Sequence, residues 1–303
     1  MPTLTGVTES DFMLALETLP LHAGAAGLRD DVATLAGLTV TTDTIVEGVH
    51  FLAGDPAGDV AWKLVAVNLS DLAAKGATPE GVLLNYPLGS NEWDIAFLTG
   101  LAEALDAFDC PILGGDTVSL PAGAPRVLTL TAFGRDGIAV PRSGARSGDA
   151  LWVTGTIGDA GAGLRIARGA DGPAELLAAY RRPVPRLAEG HALAAHIHAM
   201  MDVSDGLLLD ASRMAEASGL AVTIDLALVP LSPAYRAFVG DDRAARIAAA
   251  TAGDDYQLLF AAPDGWTPPV AATRIGTFAA GHGLTLTDDG ETIPIPANLG
   301  YQH

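Results

Sequence analysis

Carboxylates recur along this 303-residue chain in small clusters set beside glycines, serines and threonines, and this placement limits the possible folds more than any other feature. The clusters are Asp30-Asp31, Thr41-Thr42-Asp43, Ser70-Asp71, Gly114-Gly115-Asp116, Asp202-Val203-Ser204-Asp205 and Gly253-Asp254-Asp255. Apolar runs such as 64–69 and 111–113 lead into them, so the backbone is expected to bring them to one buried edge. Two carboxylates about 5 Å apart repel by roughly 3 kcal/mol at an effective dielectric near 20. Acids gathered this way need cations. Hard divalent ions that also serve a polyphosphate are the expected company.

Composition narrows the setting. Hydrophobic residues make up 49% of the chain and charged residues 17%, which favours a folded core over disorder. The length suits two modest domains. No apolar stretch reaches the ~18 residues needed to cross a bilayer. The N-terminal segment around Thr8, Glu9 and Asp11 lacks the basic start of a signal peptide, and Cys110 is the only cysteine, so no internal disulfide can form. A cytoplasmic location is therefore expected. The net charge is −19, and Lys63 and Lys75 are the only lysines. Binding to a nucleic-acid backbone, which needs a basic face, is excluded as a working idea.

Element signals alternate between period two and period 3.6, the pattern of a mixed α/β chain. Thr8-Glu9-Ser10-Asp11 resembles a capping box opening a helix to about Leu19. The stretch 38–46 reads as a strand. The stretch 59–75 reads as a helix with Trp62, Val65, Leu69 and Leu72 on one stripe, and 92–107 reads as another. Strands are expected at 82–87, at 126–134 and at 110–113, the last buried and running into Gly114-Gly115-Asp116. The polar, glycine-rich stretch 141–149 separates two domains, 1–140 and 141–303. The second is expected to hold strands at 150–154, 221–225 and 256–261, with helices at 159–168, 185–198 and 243–250 and one ending near Ser218. Short strands and turns follow Gly265. Two α/β units that both deliver acids imply a cleft between them.

The clusters differ in weight. Asp30-Asp31 alone reads equally well as a glycine-loop turn. Thr41-Thr42-Asp43 offers three oxygen-bearing side chains in a row to a hard cation. Asp71 sits late in an apolar helix, where a buried acid needs a partner. Gly114-Gly115 at a strand end permits close approach by a phosphate. Ser204 or Asp205 would cap the following helix, which leaves Asp202 unexplained. The glycines at 158, 161 and 163 are read as close helix–strand packing near phosphate. Zinc spacing, a P-loop and a Gly-x-Ser-x-Gly elbow are all missing from the sequence.

Taken in order, these segments closely resemble the thiamine-monophosphate kinase family of the aminoimidazole-ribonucleotide synthetase-like superfamily. The matching runs are Asp30-Asp31-Val32-Ala33, Thr41-Thr42-Asp43-Thr44, Gly48-Val49-His50-Phe51 and the stretch 67–77. Further on come Gly114-Gly115-Asp116-Thr117, Arg142-Ser143-Gly144-Ala145, Val153-Thr154-Gly155-Thr156, Asp202-Val203-Ser204-Asp205-Gly206-Leu207 and Ala252-Gly253-Asp254-Asp255-Tyr256. Any one is common; the ordered set is specific.

The resemblance implies an ATP- and Mg²⁺-dependent kinase that converts thiamine monophosphate to thiamine diphosphate. It also implies an N-terminal ATP- and magnesium-binding domain through whose sheet a homodimer forms. Carried over position by position, it implies metal contacts at Asp31, Thr41, Thr42, Asp43, Asp71, Asp116, Asp202 and Asp205. Nucleotide contacts fall to Gly115, Asp116, Arg142 and Ser204, substrate contacts to His50 and Asp254, and catalytic importance to Asp43, Asp71 and Asp116. The chain departs from the family at Arg29 (commonly Gly), Gln257 (frequently Glu) and Asn298, where a late aromatic is usual. Trp266 is not an evident substitute for that aromatic. Two rival readings are another ATP-using member of the superfamily that forms an amidine, and a non-catalytic calcium- or magnesium-binding protein. No EF-hand spacing supports the latter.

Overall fold

The computed structural model describes residues 9–121, 123–135 and 139–302, arranged as two α/β units packed on each other. The first contains α1 (Glu9–Leu16), β1 (Ala33–Leu35), β2 (Leu38–Val46), α2 (Ala57–Ala73), β3 (Thr78–Leu88), α3 (Asn91–Ala107), β4 (Ile112–Ser119) and β5 (Val127–Arg135). Thr8 of the expected capping box lies outside the described residues, and α1 stops at Leu16, short of Leu19. The strands pair in the order β1-β2-β5-β3-β4, antiparallel throughout except for β3 with β4.

Alternation sorts the side chains of this sheet between two faces. Leu128, Leu130 and Ala132 of β5 and Val82 and Leu84 of β3 are buried in one core with residues of α2 and α3. Thr42, Thr44, Thr129 and Thr131 occupy the opposite face, where their hydroxyls pair at 3.0 and 2.8 Å. No described helix covers that face near β4, whose eight residues are all exposed. The expectation for 110–113 is corrected here. The strand begins at Ile112, forms the edge of the sheet, and carries Gly114, Gly115 and Asp116 within it and not at its end. Of the residues at 110–113 only Cys110 is buried.

α2 is buried on nearly every side, from Val60 through Leu64, Val67 and Leu69 to Ala73. A helix buried nearly all round belongs in an interior, and α2 runs between its own sheet and the second unit, in contact with β2, β5, α6 and β7.

That unit comprises β6 (Ala150–Thr154), α4 (Asp159–Ala167), α5 (Ala174–Arg181), α6 (Leu187–Ala194), β7 (Ala199–Asp202), α7 (Leu207–Ala217), β8 (Leu220–Asp225), α8 (Pro233–Phe238), α9 (Arg243–Ala250), β9 (Leu258–Ala262), β10 (Ala272–Ala280), β11 (Gly283–Asp288) and β12 (Glu291–Ile293). Its sheet order is β12-β11-β8-β10-β6-β9-β7. The strands expected after Gly265 are present as β10, β11 and β12, and β10 lies between β8 and β6 in the middle of the sheet. The glycines after β6 serve packing, as expected. A Cβ on Gly163 would fall 2.0 Å from the Leu176 carbonyl oxygen, and one on Gly161 would fall 2.4 Å from Ala252 Cβ. The phosphate part of that reading fails. Both carboxylate oxygens of buried Asp255 accept from Gly158 N at 2.9 Å, so a side chain of the protein already occupies that loop.

Candidate active site

Two elements of the first unit build the centre of the site. β1 is short, so the outer edge of β2 is free of a strand neighbour beyond Val40. There the main-chain N–H of Asp43 donates to Asn68 Oδ1 at 3.0 Å, and Asn68 is anchored by donating to the Leu64 carbonyl on its own helix at 2.9 Å. Thr41, buried on the α2 side of β2, donates to Asp71 Oδ2 at 2.5 Å and lies 3.3 Å from the Asp31 carbonyl oxygen. Lys63, Ser70 and Asp71 share a polar stripe of α2 by their spacing of seven and eight residues.

The second unit meets this stripe directly. Asp202, buried at the end of β7, accepts from Ser70 Oγ at 2.5 Å. The loop after it is laced to the 253–257 segment: Val203 N donates to the Gln257 carbonyl at 2.8 Å, Tyr256 N to the Val203 carbonyl at 2.8 Å, and Asp254 N to the Ser204 carbonyl at 2.7 Å. Asp254 and Tyr256 hold left-handed backbone, at φ 63° and 49°. Such conformations cost on the order of 1–3 kcal/mol each and persist only where surrounding contacts impose them. Neither Ser204 nor Asp205 caps α7. Asp210 does that work from inside the helix, its Oδ2 accepting from both Asp205 N and Gly206 N at 3.1 Å. Asp205 instead forms an ion pair with Arg213, which also reaches Asp210 at 3.2 Å.

The two lysines, which the sequence offers only as a tally of charge, are both buried in this region. Lys75 Nζ lies 2.5 Å from Asp30 Oδ1 and 3.4 Å from Asp31 Oδ2, and it donates to the Met200 carbonyl at 3.2 Å. Arg142 pairs with Asp31 Oδ1, and its buried Nε meets no hydrogen-bond acceptor among the described residues. Lys63 Nζ lies 2.6 Å from Asp254 Oδ2, donates to the His50 carbonyl at 3.0 Å and sits 4.4 Å from the centre of the Tyr180 ring. Tyr256 OH donates to the other oxygen of Asp254 at 3.0 Å.

These contacts divide the acids electrostatically. Burial opposes ionisation of Asp31, but the charges of Lys75 and Arg142 outweigh it and hold its carboxyl below the usual range. Among the described residues, no basic side chain forms an ion pair with Asp43, Asp71 or Asp202. Burial, reinforced by the charges of Asp31 and Asp205, pushes Asp43 up to about 6. Burial and the charge of Asp31, opposed by the Ser70 hydroxyl, take Asp202 to about 8. Asp71 is raised well above the ordinary value by burial and by Asp43, Asp202 and Asp31. Carboxylates from β2, α2, β7 and the 30–31 loop thus feel one another in one pocket. Among the described residues, no three acidic, histidine or cysteine side chains converge closely enough to hold an ion unaided. An all-oxygen, pairwise donor set fits magnesium, which takes one or two carboxylates and completes its shell with water and phosphate.

Not every expected residue joins this pocket. Thr42 follows the strand alternation to the open face, where it bonds Thr131 Oγ1 at 3.0 Å, so its side chain points away from Thr41 and Asp43. Gly115 and Asp116 lie on β4, three strand intervals from β2, or roughly 14 Å at about 4.8 Å per interval. Asp116 is in register with Asn85 and Thr129 on the open face. His50 and Asp254 are brought together through Lys63. His50 Nδ1 accepts from Val46 N at 3.0 Å within its own turn. Asn298 is exposed and accepts from Gly300 N at 3.1 Å, while Tyr301 N donates to the Asp205 carbonyl at 2.8 Å. The aromatic residue nearest this loop in sequence is therefore Tyr301. Trp266 packs against Phe260 and His196 in a separate core.

Sequence reasoning missed Asn68, Asp210, Arg213, Lys63 and Lys75 as parts of the site. Asp210, flanked by leucines and alanine, and two isolated lysines in apolar helical surroundings carried the signal of a buried charge that must be paired.

Comparison with known proteins follows the same division. The family model for AIR synthase related protein, N-terminal domain, matches residues 28–135, and that for the C-terminal domain matches 146–289. A thiamine-monophosphate kinase of Caulobacter vibrioides is 40% identical, over 100% of this chain and 92% of its own length. Among solved structures, one described as AaThiL complexed with AMPPCP and TMP has a TM-score of 0.85 at 28% identity, covering 99% of this chain and 100% of its own. The thiamine-monophosphate kinase of Stenotrophomonas maltophilia K279a has a TM-score of 0.76 at 37% identity, covering 93% of this chain and 96% of its own.

Proposed function

The chain belongs to the thiamine-monophosphate kinase family of AIR synthase related proteins, and from that premise we propose that it phosphorylates thiamine monophosphate with ATP to give thiamine diphosphate. The observation that carries the reading is the convergence of Asp43, Asp71 and Asp202, linked through Asn68, Thr41 and Ser70, with Asp202 buried, the other two half-buried, and none with a basic ion-pair partner among the described residues. Such a pocket is costly until cations enter it, and a nucleotide triphosphate brings them.

The acceptor is a phosphate oxygen of thiamine monophosphate, already ionised near neutral pH. It attacks the γ-phosphorus as the bond to the β,γ-bridging oxygen breaks, and ADP leaves. No general base is needed, because the attacking oxygen already carries its charge. Magnesium, when bound, neutralises the meeting anions and stabilises charge on the transferred group. Asp43, Asp71 and Asp202 are the residues we assign to hold it, with Thr41 and Ser70 fixing the carboxylates of Asp71 and Asp202. Arg142, whose buried Nε has no acceptor among the described residues, is assigned to a phosphate oxygen. Asp254, held by Lys63 and Tyr256, is assigned to the cationic thiamine end, and His50 lies beside it.

Gly115 and Asp116 act in this scheme only across a dimer. The open face of the first sheet supports pairing of two copies, in which Asp116 of one serves the pocket of the other. A mixing experiment tests this. Asp43→Asn and Asp116→Asn subunits, each inactive alone, should regain about one quarter of wild-type turnover when mixed, since half the dimers are hybrid and carry one intact site. No recovery in a mixture shown to exchange subunits overturns the cross-dimer role. The activity itself is tested by incubating the chain with ATP, Mg²⁺ and thiamine monophosphate. Thiamine diphosphate formed one-to-one with ADP supports the reading. A folded protein that forms none refutes it.

A further inference from the structure

Lys75 is the bulkiest of the fully buried side chains, with 1% of its surface exposed. An ammonium removed from water costs several kcal/mol unless its charge and its donors are met. Here three oxygens meet them: Asp30 Oδ1, Asp31 Oδ2 and the Met200 carbonyl. The acids are as fully engaged as the lysine. Asp30 Oδ1 also accepts from Asp31 N at 2.9 Å, and Asp30 Oδ2 accepts from Arg142 N at 3.3 Å. Asp31 Oδ1 is taken by the Arg142 guanidinium. Two carboxylates thus face two fixed cations, and each of their four oxygens already has a donor. The contrast lies a few ångströms away, where Thr41 touches both the Asp31 carbonyl and the carboxylate of Asp71. Beyond that hydroxyl, Asp43, Asp71 and Asp202 have no basic partner among the described residues.

We infer that Lys75 is a built-in cation of the nucleotide pocket, its ammonium holding the place at Asp30-Asp31 that a divalent ion would otherwise take. The inference rests on reading the pocket as a metal–nucleotide site, and it revises one assignment carried by the resemblance. Asp31 pairs with Lys75 and Arg142 in place of metal, and ion loading falls to Asp43, Asp71 and Asp202.

The test counts ions without turnover. Mn²⁺ binding is measured by the electron paramagnetic resonance of free Mn²⁺, in the presence of a non-hydrolysable ATP analogue, for the wild type and for Lys75→Met. Methionine keeps the length and volume and removes the charge. The variant should bind about one further Mn²⁺ per chain, and its half-saturating Mg²⁺ concentration in the kinase assay should rise severalfold. Equal stoichiometry in the two proteins overturns the inference. Should Lys75→Met fail to fold, the wild type decides alone through Mn²⁺ anomalous scattering from crystals grown with the same analogue. Mn²⁺ bonded to Asp43, Asp71 or Asp202, with none on Asp30 or Asp31, is the expected map. Mn²⁺ bonded to Asp31 overturns the role of Lys75. A wild type that binds neither Mn²⁺ nor the analogue sinks the metal–nucleotide reading instead, so the two failures are told apart.

Discussion

On one side of the acidic pocket, Asp30 and Asp31 face the ammonium of Lys75 and the guanidinium of Arg142. On the other side, Asp43, Asp71 and Asp202 face chiefly one another, moderated by hydroxyls from Thr41 and Ser70. Both sides are at least half-buried and both gather negative charge. They differ in where the compensating cations come from: the chain supplies them to the first, and only a ligand can supply them to the second. A fixed cation makes folding self-sufficient. A missing one leaves a place where binding energy can be gained.

Substituting one acid from each side gives the largest contrast. Asp71→Asn should cut turnover by about 10³-fold, because it removes an oxygen that meets developing charge through a bound ion. The same change should leave the metal-free protein at pH 8 at least as stable as wild type, since it relieves like-charge repulsion. Asp31→Asn should instead lower metal-free stability, because removing one partner of a buried pair costs about 3–5 kcal/mol. Melting curves of both variants in chelator, beside their turnover, check this. If Asp71→Asn melts lower than Asp31→Asn, the division of the pocket is wrong.

A pH series on the chelated wild type probes the same contrast without mutation. Asp43, at about 6, and Asp202, at about 8, bind protons more tightly folded than unfolded. Metal-free stability should therefore fall as pH rises from about 4 through 8. Asp31 has the opposite sign, and its contribution is lost only as pH falls below the ordinary carboxylate range. Added Mg²⁺ should raise the melting temperature more at pH 8 than at pH 5. A uniform shift would show that the ion does not meet these carboxylates.

A smaller effect is expected at the other lysine. Lys63→Met should raise KM for thiamine monophosphate about tenfold while changing KM for ATP little, because Lys63 holds Asp254 in place and touches no assigned nucleotide contact. Steady-state kinetics with each substrate varied in turn will separate the two. The smallest contrast lies within β2. Thr41→Val removes the hydroxyl on Asp71 and should reduce turnover severalfold. Thr42→Val alters only the open face and should leave turnover within about twofold at saturating substrates. Equal losses at the two positions would return the Thr42 side chain to the pocket.

Much of the fold was legible because period and punctuation are local properties. β6 and α9 run over the same residues as expected, and α2, α3, β2 and β5 lie within two residues of expectation. Errors arose where distant pairing decided. The length of β4, its exposure and the central seat of β10 depend on which strand lies alongside, which no window of sequence contains. Three oxygen-bearing residues in a row at 41–43 looked like one ligand set, yet the strand alternation turns Thr42 away.

The sequence by itself determined that acids set among small residues would accompany apolar segments in two α/β units. Residue type and spacing suffice for that, because hydrophobic burial fixes which side of a strand or helix turns inward. Only the tertiary structure decided which of those acids are neutralised by the chain. Asp31 and Lys75 are 44 residues apart and Asp254 and Lys63 are 191 apart. Whether a carboxylate meets an ammonium or another carboxylate depends on a few ångströms of packing between units, and Coulomb energies in a buried pocket change sign with that choice.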